Sequence, residues 1–118
     1  MAQKTNDPII TLERALALVF DAIAIAQKGL RANPSKEEER KLIKTIARLE
    51  IERTDLEELI DALENEPTDV RPPSQADVTR IAELTGRVER ETRRNLTATG
   101  AVEITSGILD LAIKLTGQ

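Results

Sequence analysis

The sequence predicts an all-α fold, a three- to four-helix bundle. Three observations carry that expectation. Apolar residues recur at helical spacing through most of the chain, and cap and proline signals divide it into helix-length stretches. The core must also be built without aromatic rings, because Phe20 is the only Phe and there is no Trp or Tyr. Leu, Ile, Val and Ala alone suit layered helix packing better than a broad ligand pocket.

A polar stretch, residues 1–8, precedes the first helix and reads as a flexible tail. Asp7-Pro8 can open that helix, with Asp7 as cap and Pro8 at the first helical position; Thr11 is a competing cap. Helix 1 is expected from Ile9 to Arg31. Its apolar residues point almost all round the axis, and only Arg14, Asp21 and Lys28, seven apart, mark a polar stripe. A helix of that kind is normally buried among several neighbours. One chain of 118 residues has few helices to supply them. Self-association follows as an expectation, with Leu16, Val19, Phe20 and Ile23 as its contacts and a dimer as the favoured state.

Asn33-Pro34 ends helix 1, since the residue before proline avoids the α region. Ser35-Lys36-Glu37-Glu38 is a capping-box pattern that starts helix 2, expected from Lys36 to Asn65. The short loop makes helices 1 and 2 an antiparallel hairpin. Leu42, Ile46, Leu49, Arg53, Leu56, Ile60 and Leu63 follow at spacings of four and three, a heptad seam with one fault at Arg53. Arg53, flanked by Leu49, Leu56 and Ile60, is either a polar layer that sets register or an edge residue whose stem packs while its charge stays wet.

Residues 66–73 form a Pro-rich linker, with Pro67, Pro72 and Pro73. Ser74-Gln75-Ala76-Asp77 then repeats a cap-like pattern. A third helical stretch keeps the four-three rhythm through Val78, Ile81, Thr85, Val88, Thr92, Asn95, Thr99, Val102, Ser106, Leu109, Ile113 and Thr116. It is expected either to kink or to break into two helices, 74–98 and 101–116, at Thr97-Ala98-Thr99-Gly100. The whole chain, 1–118, reads as one domain.

The residue inventory bears on function mainly by exclusion. The chain has no Cys and no His, which removes thiolate and imidazole metal sites and the usual activated nucleophiles. The net charge is −4, so a duplex nucleic acid is not an expected partner. Glu13, Arg14 and Asp21 argue against a membrane span within Ile9–Ala26. The expected location is the cytoplasm, and no cofactor is expected.

Two charged features invite a function. Glu52 to Asp69 holds eight acids and one base, and Glu57, Glu58, Asp61 and Glu64 could form a docking face for a basic partner. The same acids could instead be a solvated face, or pair with Arg80, Arg87 and Arg94 of the third helical stretch. The Glu58-x-x-Asp61 spacing puts two carboxylates on one helix face, as in some magnesium-dependent all-α nucleotide pyrophosphohydrolases. Those enzymes add a second acidic cluster; here Glu37, Glu38 and Glu39 stand at a helix start, where capping explains them. Thr85, Thr92, Asn95, Thr97, Thr99 and Ser106 form a hydroxyl-rich stretch, readable as a hydrated surface or as threonines bonded to their own helix.

The leading expectation is a non-enzymatic helical interaction module: an adaptor, scaffold or assembly subunit that binds itself or another protein. An acidic antitoxin- or immunity-type protein that neutralises a basic effector is the alternative, and a magnesium-dependent nucleotide hydrolase the third.

Overall fold

The computed structural model describes residues 7–65, 73–93 and 95–117. Among the described residues four helices are formed: α1 (Asp7–Leu30), α2 (Lys36–Asn65), α3 (Gln75–Arg93) and α4 (Ala98–Leu115). All-α bundling is therefore the observed architecture. The tail residues 1–6, the linker residues 66–72 and Arg94 lie outside the described residues.

Local signals in the sequence set most of the helix ends. Asn33 adopts a left-handed conformation at φ 57°, which stops α1 just ahead of Pro34. Ser35 and Glu38 close the expected capping box: the Ser35 N–H donates to Glu38 Oε1 at 2.9 Å and the Glu38 N–H donates to Ser35 Oγ at 3.1 Å. Ser74 and Asp77 repeat the device at the start of α3, with bonds of 3.0 and 3.2 Å.

The third helical stretch does break, but earlier than its glycine suggests. Helix α3 ends at Arg93 and Thr97 caps α4, its hydroxyl accepting from the Gly100 N–H at 2.9 Å. Gly100 therefore sits inside the first turn of α4, not in the break. Carrying one heptad rhythm across the break puts the wrong face inward. The buried residues of α4 are Ala98, Ala101, Ile104, Thr105, Ile108, Leu111 and Ala112. Val102 and Leu109 are half-buried and Ser106 is exposed.

The packing has α1 and α4 at its centre. Helix α1 touches α2, α4 and α3, and α4 touches α1, α2 and α3, whereas α2 and α3 do not touch. The cross-section is a rhombus with the α1/α4 pair on its short diagonal. Cross-helix bonds give the directions: Thr99 to Glu38 and Thr116 to Glu52 make α2 and α4 parallel, and Lys114 to Asp77 makes α3 antiparallel to α4.

Small residues make the short diagonal possible. Ala15, Ala22, Ala26 and Gly29 share one face of α1, all buried, and Gly29 on that face meets α4. A Cβ added at Gly29 would lie 2.6 Å from Ala101 Cβ and 3.1 Å from Leu42 Cδ1. The apolar wrap of α1 is thus covered largely by its own chain. This revises the reason given for expecting a second copy: splitting the last stretch into α3 and α4 supplies the neighbour that three helices would have lacked.

Glu38 and Asp77 each carry a lowered pKa. For Glu38 the causes are the bond from the Thr99 hydroxyl, then those from Ser35. For Asp77 burial pushes upward, but hydrogen bonds from Lys114 and Ser74 outweigh it. A carboxyl whose pKa is depressed on folding adds stability above its unfolded value and loses it as pH falls through the folded value. Asp77→Asn should therefore cost about 1 kcal/mol at pH 7 and less at about pH 3, because the carboxyl's contribution fades as pH falls toward the lowered folded value. Urea titrations at the two pH values check this; an equal cost at both would contradict it. Gly29→Ala should destabilise by about 2 kcal/mol through overpacking, despite alanine's better helix propensity. Gly86→Ala should be neutral or stabilising by up to ~1 kcal/mol, because its Cβ would meet only a flexible Arg90 guanidinium at 3.6 Å.

Candidate functional site

The helix 2 pattern predicts one inward seam, and the structure uses two. Leu42, Leu49, Leu56, Ile60 and Leu63 are buried against α1 and α4. The polar residue that enters the core is Glu52, 2% exposed, not its neighbour Arg53. Glu52 accepts a hydrogen bond from the Thr116 hydroxyl at 2.7 Å, tying α2 to the end of α4. Glu52 therefore does not belong to the solvated acidic face that its position in the run of acids suggests. The signal was present: Thr45, Leu49, Glu52, Leu56, Leu59 and Leu63 follow the same four-three spacing on the side facing α4.

Arg53 is half-buried beside α1. Its guanidinium carbon lies 5.8 Å from the centre of the Phe20 ring. Its Nε is buried and finds no acceptor among the described residues. The stem packs and the guanidinium lies over the ring, with its Nε out of water rather than wet.

Of the expected self-association residues, Val19 belongs to the core at 1% exposure, while Leu16 and Ile23 are half-buried and Phe20 is 47% exposed. The last three lie at helical spacing on the side of α1 that borders α2 and faces away from α4. The outward side of α2 continues this surface. Lys36, Arg40, Ile43, Ala47, Glu50, Thr54, Glu57, Asp61 and Glu64 recur at steps of four and three, and every one is exposed. Ile43 is 55% exposed. This outer hairpin face thus has an apolar middle, Leu16, Phe20, Ile23, Ile46 and Ile43. Its two ends carry opposite charge.

Among the described residues no basic helix lies against the acidic end. Pairing of these acids with Arg80 and Arg87 is ruled out, because α2 and α3 stand on opposite sides of the α1/α4 pair. Arg87 instead reaches Glu103 of α4 at 3.8 Å, and Arg80 reaches Glu83 at 3.5 Å. Glu57, Glu58, Asp61 and Glu64 are all exposed, with no ion pair among the described residues.

The carboxylate spacing gathers no metal site. Glu58 and Asp61 stand about 30 Å along α2 from Glu38, so the two acidic clusters cannot share an ion. Among the described residues no group of three or more potential ligands converges.

The hydroxyl-rich stretch divides among local roles. Thr85 donates to the Ile81 carbonyl at 2.8 Å and Thr92 to the Glu89 carbonyl at 2.9 Å, while Thr99 bonds Glu38 at 2.6 Å. The threonine that fills the core is Thr105, bonded to the Ala101 carbonyl at 2.6 Å.

A second surface feature is an open crevice of about 530 Å³ between α1 and α3, floored by Leu18 and Ile81 and edged by Arg14, Asp21, Thr85 and Glu89. Partial burial there raises the Asp21 pKa above the usual carboxylate value. None of the described helices is long and apolar enough to cross a membrane. No protein family, characterised protein or solved structure matches the chain.

Replacing Arg53 removes a buried N–H without an acceptor and loses one ring contact. Arg53→Leu should raise the thermal midpoint by about 4 °C, equivalent to roughly 1 kcal/mol in a domain of this size. It should also loosen any self-association measured by sedimentation. A lower midpoint with the association state unchanged would contradict a register role for Arg53.

Proposed function

We propose that the chain is a non-enzymatic helix–helix interaction module, an adaptor or assembly subunit working in the cytoplasm without a cofactor. Its docking surface is the outer face of the α1–α2 hairpin. The observation that carries this reading is the exposed, heptad-spaced stripe on α2 beside Leu16, Phe20 and Ile23. Helices lay apolar faces into one another with this spacing, and an uncovered face of this kind is suited to a partner helix. Phe20 is the only ring in the chain and is left nearly half in water.

A second reading draws on the exposed acids Glu57, Glu58, Asp61 and Glu64. A neutraliser would use them to plug a basic effector, with an affinity that falls steeply with salt and vanishes when Glu57, Glu58 and Asp61 are reversed. The interaction-module reading predicts instead that loss of the apolar middle matters most.

In the cell that makes it, the full chain should migrate in native sizing well above its 13.0 kDa. Phe20→Glu should release it to the free chain with an unchanged melting curve, while Ser106→Glu, exposed on α4, should leave the assembly intact. Migration as the free chain before and after substitution would overturn the proposal.

A further inference from the structure

We infer that the hairpin face is covered by a second copy of this chain, packed with its helices antiparallel, α2 against α2 and α1 against α1. The inference rests on reading that face as a docking surface, and it names the occupant. Two observations argue for it. The first is charge polarity along a single stripe: Lys36 and Arg40 occupy one end of exposed α2, and Asp61 and Glu64 the other. A two-fold axis lying between the faces, across the helices near Ile23 and Glu50, sets Lys36 opposite Glu64 and Arg40 opposite Asp61 of the second copy. An axis parallel to the helices would bring acidic end to acidic end. Glu37 and Glu39 are exposed acids at the first end, but Glu37 pairs with Lys41 at 3.6 Å, and Lys36, Arg40 and Lys44 keep that end less acidic than the other.

The second observation is Arg53. Its buried Nε lacks an acceptor within the described residues and sits at the middle of the face. In the antiparallel arrangement the second copy's Glu50 would lie near the more exposed end of this guanidinium and add a counter-charge there.

The available area is adequate. A 24-residue α1 is about 36 Å long, and two helices packed about 10 Å apart present on the order of 700 Å² per copy. That is close to the roughly 800 Å² per partner of a standard stable interface.

Charge swapping tests the arrangement with purified full-length chain. Light scattering over the micromolar range should give twice 13.0 kDa for the wild type. Asp61→Lys/Glu64→Lys and Lys36→Glu/Arg40→Glu should each be monomeric, since both ends then carry one sign. Mixed in equal amounts, the two variants should recover a dimer, because every end now meets its opposite. A wild-type monomer, reversal without effect, or failure of the mixture to associate would each overturn the inference. Should a variant not fold, the wild-type dissociation constant decides: it should rise on the order of tenfold between low and high salt, and salt-independence would overturn the antiparallel pairing. A purified monomer, together with a native assembly that Phe20→Glu dissolves, would sink the second copy and leave the docking surface standing.

Discussion

The close approach of α1 and α4 is the constraint on which the rest of the structure depends. Two helices can come near enough to exclude a third from between them only where side chains are small. Gly29 packed against Ala101, with Ala22 and Ala26 on the same line, supplies that condition. Once these two helices touch along the short diagonal, α2 and α3 are forced to opposite sides. A square bundle would also give α2 two neighbours, but with α3 nearer across the diagonal. The rhombic one leaves part of its circumference bare, and leaves the acids of α2 out of reach of the arginines of α3.

Polar ties then hold the flanking helices to the central pair. Thr99 to Glu38 joins one end of α2 to the start of α4, and Thr116 to Glu52 joins a point further along. Lys114 and Asp77, 2.9 Å apart, do the same for α3. Each bond has a carboxylate as acceptor, the stronger class of hydrogen bond, and each spans elements distant in sequence. They fix axial register in a core of aliphatic side chains that, lacking large rings, offers few distinctive shapes to do so. The Asp77 and Glu38 carboxyls serve twice, as capping-box partners within a helix and as acceptors between helices.

Much of this was legible in the residues because it is local. Capping boxes at Ser35 and Ser74, the proline after Asn33 and the heptad of α2 are short-range statements, and helices α1 and α2 begin and end within two residues of where those signals place them. What was illegible depended on neighbours. The phase of α4 could not be carried from α3, because the three residues before Ala98 reset the rotation of the chain about the helix axis. Glu52 looked like a surface acid beside Glu57 and Glu58 until α4 placed Thr116 over it. The glycine blamed for the break, Gly100, turned out to be the residue whose N–H the capping Thr97 accepts. Of the candidate surface residues, the acids of α2 were readable as exposed from their side of the helix, but Phe20 was not, because α1 is apolar nearly all round. Val19 was not readable as buried, since its inward direction depends on where α2 docks.

The uncovered hairpin face can be weighed against the chain's other surface features by asking what each would do if it had no function. Isolated exposed isoleucines, such as Ile51 at 54%, are ordinary on any protein. The crevice between α1 and α3 is what remains wherever two helices in light contact splay, and its rim mixes Arg14 with Asp21 and Glu89. The hairpin face differs because three properties coincide on it. It carries the single aromatic side chain, an arginine N–H without an acceptor and a stripe whose charge changes sign from end to end. Each property alone adds a small cost to the free chain, through solvated apolar area, a desolvated donor or unneutralised like charges. A partner laid lengthwise on the face would cover the apolar area and neutralise the charges together, and that coincidence is the physical argument for proposing it as a docking surface.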